Sequence, residues 1–217
     1  MPRFMHREQP VLVSTNLKVL YSSLAHQTNL TAIGEGTFAR KLIAGKRTHM
    51  LFVRNPYDRL VSAYTDKFQT HPRQLGEDGF KNWQRIQLRF LEQIGFDTRT
   101  SDDRIQEALL SVDFDQFVRQ LPRLQYRDAH VVPQHHRRRP TFKWIIPLLP
   151  ARVDRLIRIE EMNTDQINQQ LGLDLQSVRR NQTRHGPAED YFTSELRGIV
   201  NRVYRRDFEH LGYEPID

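Results

Sequence analysis

The chain has 217 residues, no cysteine and a formal net charge of +7. This length suits a single hydrophobic core, so we expect residues 1–217 to form one domain. The lack of cysteine excludes disulfides and thiolate metal sites, and it favours a reducing, cytoplasmic location. The sequence carries neither a signal-peptide core nor an apolar run long enough to span a membrane, which predicts a soluble protein.

The positive charge predicts anionic partners. Nucleic acid, a nucleotide that carries phosphate or sulfate, and an acidic sugar all satisfy this requirement. Charge alone does not distinguish these classes, so the choice among them depends on motifs and on the elements that carry those motifs.

Strands and helices alternate along the first part of the chain. A β-branched run predicts a first strand, and a serine suited to an N-cap predicts the short helix after it. A second helix follows a glycine-containing loop, and a nearly continuous apolar run predicts a strand that is covered on both faces. A proline in its first turn then opens a third helix. These elements are a strand at 10–17, helices beginning at Ser23 and Thr37, a strand at 48–53, and a helix from Pro56 to about Phe68.

The rest of the chain is predicted to be mainly helical. Apolar residues at helical spacing predict three helices, and a basic, proline-containing stretch after them predicts a loop. One more strand precedes a helix that ends at Gly172, and a long final helix ends at Gly212. The helices are predicted at 80–94, 103–110, 115–120, 164–171 and 188–211, the loop at 127–140 and the strand at 153–159.

This order of elements predicts an α/β fold, in which a central parallel sheet carries helices on both faces and so forms three layers. In such sheets, ligands bind at the carboxyl ends of the strands. Lys18 and Arg54 each follow a predicted strand closely, so we expect both side chains at that edge of the sheet.

The segment after the second predicted strand carries the clearest chemistry. Arg54 offers a charged fork that suits a phosphate, and the hydroxyl of Ser62, about two helical turns along, can donate to the same group. The alternative is that Arg54 forms a local ion pair with Asp58 and that Ser62 only packs.

The segment Phe52–Tyr64 resembles the 3'-phosphate-binding motif of the carbohydrate sulfotransferase family (sulfotransferase family 2). Three other segments are similar to parts of that family in the same order. Leu17–Leu24 resembles its phosphosulfate-binding loop, Asp128–Gln134 its Asp-x-His-x-x-Pro-Gln segment, and Tyr191–Tyr213 its final helix. The resemblance implies a sulfotransferase fold like that of P-loop NTPases. It also implies in-line transfer of a sulfuryl group from 3'-phosphoadenosine 5'-phosphosulfate to a carbohydrate hydroxyl.

The resemblance implies roles for single residues in binding this donor. A lysine in the first loop would contact the oxygen that bridges phosphate and sulfate, and the loop itself would hold the 5'-phosphate with serines and backbone amides. The arginine and serine of the first motif would hold the 3'-phosphate. A basic turn at 179–186 would close over the nucleotide, unless it is an ordinary solvated turn. The residues assigned to the donor are Lys18, Tyr21, Ser22, Ser23, Arg54, Ser62, Asn181 and Thr183, and no metal is required.

The phosphosulfate loop departs from the family pattern at three positions. Leu17 replaces the usual proline, and Leu20 and Tyr21 replace small residues that let the backbone approach phosphate closely. The backbone amides of the loop remain available to an anion.

Two residues are candidates for the general base that accepts the proton of the acceptor hydroxyl. Glu35 occupies a position where relatives carry a base, and a desolvated loop would raise the pKa of such a carboxyl. His130 has a suitable intrinsic chemistry, although it could also bind the acceptor or brace its own loop. The alternative for Glu35 is a surface glutamate without a catalytic role.

Three other functional classes remain as alternatives. A nucleotide kinase would need Gly-x-x-x-x-Gly-Lys-Ser/Thr, and Gly45 and Lys46 are instead followed by Arg47. A nucleic-acid binder would need basic residues interleaved with stacking aromatics, and this pattern is not evident. A non-catalytic binding protein on the same fold is the third class. We therefore expect an anionic nucleotide donor and a hydroxyl-bearing glycan acceptor, acidic glycans included, as partners, and no nucleic acid.

Overall fold

The computed structural model describes residues 2–45, 47–73, 83–135, 153–175 and 186–217. Contacts between backbone positions divide the chain into two compact units. The first unit comprises Met1–Asn55 and Gln134–Gln182, and the second comprises Pro56–Pro133 and Thr183–Asp217. The prediction of one domain over residues 1–217 stays a prediction.

Five strands in the described residues form one sheet, and all of them belong to the first unit. The strands are β1 (Arg3–His6), β2 (Val11–Ser14), β3 (Leu30–Ala32), β4 (Thr48–Val53) and β5 (Arg155–Arg158), in the spatial order β3-β1-β2-β4-β5. Strands β2, β4 and β5 are parallel neighbours, whereas β1 runs antiparallel to both β2 and β3.

Helices occupy both units in the described part of the chain. They are α1 (Tyr21–Ala25), α2 (Glu35–Ile43), α3 (Pro56–Tyr64), α4 (Arg85–Gln93), α5 (Asp102–Leu110), α6 (Phe114–Arg119), α7 (Leu121–Leu124), α8 (Thr164–Leu171), α9 (Ser194–Val203) and α10 (Arg205–Leu211). Within the described ranges, none of these helices combines the length and the apolar character that crossing a membrane requires.

The predicted α/β class is confirmed, and the sheet is mixed rather than purely parallel. The sequence prediction missed β1, because Arg3–His6 is only four residues long and its two apolar residues are adjacent rather than alternating with polar ones. The strand predicted at 10–17 is shorter, since β2 ends at Ser14 and the chain then turns. The strand predicted at 48–53 has the bounds of β4.

The core of the first unit forms where strand side chains meet α8. Buried Val13, Met50 and Phe52 from the sheet pack in one cluster with Ile167 and Leu171 of α8. Burial of apolar surface contributes ~25 cal/mol per Å², so these side chains supply most of the free energy that holds the strands in place. Helix α8 ends at Gly172 as predicted, because Gly172 adopts a left-handed conformation with φ of 58°.

The second unit is helical and has an aromatic core. Tyr64 and Phe68 stack with ring centroids 6.1 Å apart, and Phe90 and Phe117 pack edge-on or tilted against Phe68 at 5.0 and 5.2 Å. Phe68 lies in a π-helical turn, Thr65–Thr70, that continues α3. The prediction of a helix from Pro56 to about Phe68 is therefore correct in extent, although its last turn is wider than an α-helix.

The long final helix predicted at 188–211 is wrong, because the segment is broken twice. A short 3₁₀ turn at Ala188–Tyr191 ends before Thr193, whose side chain accepts a hydrogen bond from the Leu196 backbone and so caps a new helix, α9. A second break at Tyr204 separates α9 from α10. The sequence prediction also missed α7, and the first residues of the helix predicted at 80–94 lie outside the described residues.

Candidate functional site

Two neighbouring parallel strands bring Lys18 and Arg54 together in the first unit. Strand β2 pairs with β4 so that Ser14 lies opposite Leu51, and both strands end at the same edge of the sheet. Arg54 follows β4 directly, and its Nη1 donates a hydrogen bond to the carbonyl oxygen of Lys18 at 3.3 Å. The prediction that both residues lie at the carboxyl ends of the strands agrees with this geometry.

The loop after β2 turns sharply through left-handed backbone conformations. Lys18 and Leu20 have φ values of 68° and 52°, which are uncommon for residues with a side chain. Thr15 braces the turn because its hydroxyl donates to the carbonyl of Val19, and the Val19 amide donates to the carbonyl of Asn16 at 3.1 Å. Successive backbone N–H groups in a turn with left-handed residues can form a concave surface that suits an anion.

Helix α1 begins at Tyr21, and its N-cap residue is Leu20, which makes no side-chain capping bond. The predicted serine cap is therefore wrong, because Ser23 lies inside the helix and is buried. The first amides of any helix lack intrahelical partners, so this uncapped end offers donors. The side chain of Leu20 packs against the hydrophobic cluster of the first unit, which explains how a large residue is accommodated in the loop.

Asn16 carries the most unusual side chain of the loop. It is 1% exposed, and neither its amide nitrogen nor its amide oxygen has a hydrogen-bond partner among the described residues. Leaving a buried polar group unpaired costs roughly 1–3 kcal/mol, so such a group needs an explanation. Asn16 does not stand out in the sequence, where its one signal is a polar side chain two positions before Lys18.

Gln134 fixes the backbone of Arg54. Its side-chain oxygen accepts from the Arg54 amide at 3.0 Å, and its side-chain nitrogen donates to the Arg54 carbonyl at 2.6 Å. Glu160 accepts from the next amide, that of Asn55, at 2.6 Å. These two residues set where the Arg54 side chain starts, and the sequence analysis gave them no role, although Gln134 closes the Asp-x-His-x-x-Pro-Gln segment.

Glu35 lies in the first turn of α2 rather than in the predicted loop. Its carboxylate pairs with Nη2 of Arg3 at 3.1 Å, and its side chain is 43% exposed. The desolvated environment that the sequence analysis expected for Glu35 is therefore not found in the structure.

Ser62 lies in α3 of the second unit and is buried. Its proposed contact with the 3'-phosphate stays a prediction. Asn181 and Thr183, and with them most of the predicted basic turn, lie outside the described residues.

His130 lies in the second unit, in the turn after α7, where Asp128 holds it. Oδ1 of Asp128 lies 2.7 Å from Nδ1 of the imidazole and also accepts from the His130 amide at 2.9 Å. Arg89 of α4 approaches the other carboxylate oxygen at 3.4 Å. Burial acts to raise the pKa of the Asp128 carboxyl, but the hydrogen bonds from His130 and the charge of Arg89 outweigh it, so this pKa lies below its ordinary value.

Two side chains from other elements brace the turn that carries His130. Arg59 of α3 is buried and donates to the carbonyls of Val132 at 2.9 Å and Ala129 at 3.3 Å. The hydroxyl of Tyr204, between α9 and α10, donates to the carbonyl of Val131 at 2.7 Å. Three segments that resemble family motifs thus meet at one turn.

Comparison with known sequences identifies the family of the chain. The sequence profile of the sulfotransferase family matches residues 22–214, which is most of the chain. The chain therefore belongs to the sulfotransferase family, and the chemistry of that family is the transfer of a sulfuryl group. The match begins after Lys18, and neither a curated protein nor a solved structure matches the chain. The described residues contain no cluster of histidine, aspartate and glutamate that could hold a metal ion.

Proposed function

We propose that the chain transfers a sulfuryl group from 3'-phosphoadenosine 5'-phosphosulfate to a hydroxyl of a carbohydrate. The observation that carries this proposal is the contact between Arg54 and the Lys18 backbone at the carboxyl ends of β2 and β4. Two cationic side chains at one edge of the sheet suit a ligand with an anionic group at each end. Family membership supports the sulfuryl chemistry.

The loop after β2 has features that fit the phosphosulfate end of this donor. The left-handed backbone at Lys18 and Leu20, the uncapped start of α1 and the unpaired amide of Asn16 all provide hydrogen-bonding groups. A phosphate in the loop would satisfy groups that are otherwise costly to bury. Ser22 and Ser23 are assigned to the same phosphate.

The reaction needs one bond to break and one to form at sulfur. The acceptor oxygen attacks sulfur, the bond from sulfur to the bridging oxygen breaks, and 3'-phosphoadenosine 5'-phosphate leaves. The ammonium of Lys18 would neutralise the charge that develops on the bridging oxygen. A base takes the proton of the acceptor hydroxyl, and the candidates for it are Glu35 and His130.

Replacement of Lys18 by alanine tests this function. We expect Lys18→Ala to lower the single-turnover rate of ³⁵S transfer roughly 100-fold or more, because it removes charge stabilisation of the leaving group. Binding of 3'-phosphoadenosine 5'-phosphate should persist and should still raise the melting temperature. Lys41→Ala, which removes an exposed charge from α2, is the matched control.

The same assays separate sulfuryl transfer from the other functional classes. Transfer at the wild-type rate by Lys18→Ala would contradict the role of Lys18. If the chain instead bound RNA with a steep salt dependence, and the nucleotide did not compete for that binding, the proposed function as a whole would be contradicted.

A further inference from the structure

The pairing of Asp128 with His130 determines which nitrogen of the ring can accept a proton. The carboxylate of Asp128 only accepts hydrogen bonds, and Nδ1 of His130 lies 2.7 Å from it. Nδ1 therefore carries the hydrogen. In the neutral ring, the lone pair is then on Nε2. This Nδ1–H tautomer leaves Nε2 able to accept a proton, as a general base must.

The ring of His130 is partly accessible. The His130 side chain is 20% exposed, whereas that of Asp128 is 5% exposed. Nowhere in the described ranges does another group form a hydrogen bond with Nε2. A histidine that only braced its loop would need Nδ1 alone, so a fixed, partly exposed ring whose Nε2 forms no hydrogen bond within the described ranges suits proton transfer.

The carboxylate that fixes the ring is itself held in place. Arg89 contacts its second oxygen, and the Arg89 guanidinium also donates to the carbonyl of Arg127. Arg59 and Tyr204 hold carbonyls of the same turn. Neither the carboxylate nor the turn can rotate without breaking several of these bonds, so the direction of Nε2 is set in advance.

We propose that Asp128 is the positioning residue for His130 and that His130 is the general base of sulfuryl transfer. Nδ1 of His130 keeps its hydrogen, which stays hydrogen-bonded to Asp128, while Nε2 takes the proton of the acceptor hydroxyl. At the same time the acceptor oxygen bonds to sulfur and the nucleotide leaves. This inference rests on the proposed function and chooses between its two bases. Glu35 is the weaker candidate because its exposed carboxylate already forms an ion pair with Arg3.

The first test reads the tautomer of His130 and needs no acceptor. In long-range ¹H–¹⁵N spectra of protein labelled in its nine histidines, the ring that disappears in His130→Gln is assigned to His130. We expect wild type to show the Nδ1–H form. Asp128→Asn offers an amide N–H to Nδ1, so the Nε2–H form should increase. An unchanged His130 spectrum in Asp128→Asn would overturn the positioning role.

The second test measures transfer. Single-turnover transfer of ³⁵S from saturating donor to a panel of unsulfated oligosaccharides should fall about tenfold or more in Asp128→Asn and in His130→Gln. The double variant should be no slower than His130→Gln, because Asp128 acts through His130. Additive losses would instead assign Asp128 a separate structural role and overturn the proposal.

Controls separate failure of this inference from failure of the proposed function. Asp115→Asn removes a carboxylate that pairs with Arg119 on the surface of the same unit, and it should leave rate and tautomer unchanged. Affinity for 3'-phosphoadenosine 5'-phosphate should equal that of wild type in every variant. If wild type neither binds this nucleotide nor transfers sulfate, the proposed function fails and this inference falls with it. If wild type does both and Asp128→Asn matches its rate, only this inference fails.

Discussion

At the scale of single residues, the loop after β2 combines strain with unsatisfied groups. Lys18 and Leu20 adopt left-handed conformations, and Asn16 is buried with both polar side-chain atoms unpaired within the part of the chain that the structure describes. Each of these features costs free energy of order 1–3 kcal/mol. Such costs concentrate where a ligand later compensates them, which agrees with a phosphate-binding role for the loop.

Replacement of Asn16 by leucine tests this interpretation. Leucine has a similar volume and no polar atoms, so Asn16→Leu should raise the stability of the free protein by about 1–3 kcal/mol. The same change should reduce the rise in melting temperature that 3'-phosphoadenosine 5'-phosphate produces. Thermal unfolding with and without the nucleotide measures both effects. Lower stability together with an unchanged nucleotide response would show that Asn16 serves only the fold.

At the scale of elements, sequence patterns predicted best the segments whose ends carry local signals. Strand β4 is a nearly continuous apolar run, α3 begins with Pro56, and α8 ends at Gly172, and all three were predicted closely. The short strand Arg3–His6 was missed, because pairing with β2 and β3 on its two sides, rather than its own pattern, makes it a strand.

The residues of the candidate site also differ in how well the sequence predicts them. Lys18 and Arg54 were predictable, because strand ends and a charged motif mark them in the sequence. Asn16 and Gln134 were not, because their importance lies in burial and in hydrogen bonds to distant backbone groups. The ion pair between Arg3 and Glu35 was hidden for the same reason.

The end of α8 gives a prediction at this scale. Gly172 has φ of 58°, and a Cβ there would lie 2.9 Å from Nδ2 of Asn29. Gly172→Ala should therefore lower the free energy of unfolding by about 1–2 kcal/mol. Gly198→Ala is the contrasting variant, since a Cβ added at Gly198 inside α9 would meet no described atom within 4 Å beyond its chain neighbours and its own helix backbone. This variant should be stabilising by up to about 1 kcal/mol. Urea unfolding measures both, and equal effects would contradict the assignment of Gly172 as a helix cap.

At the scale of the whole molecule, the family match over residues 22–214 includes segments of both units. The first unit contains the sheet, Lys18 and Arg54, and the second contains the histidine turn with Asp128 and His130. The net charge of +7 agrees with an anionic donor. Composition predicted the sign of the partner's charge, whereas its identity depended on the motifs.

The central claim is that Arg54 binds the 3'-phosphate of the donor nucleotide, and calorimetric titration with two ligands tests it most directly. Arg54→Ala should weaken 3'-phosphoadenosine 5'-phosphate about tenfold or more, because a charge-assisted hydrogen bond contributes about 1.5–3 kcal/mol. Adenosine 5'-phosphate, which lacks the 3'-phosphate, should bind Arg54→Ala and wild type alike, and Lys41→Ala should bind both ligands as wild type does. Equal losses for the two nucleotides in Arg54→Ala, or no loss for either, would contradict the claim.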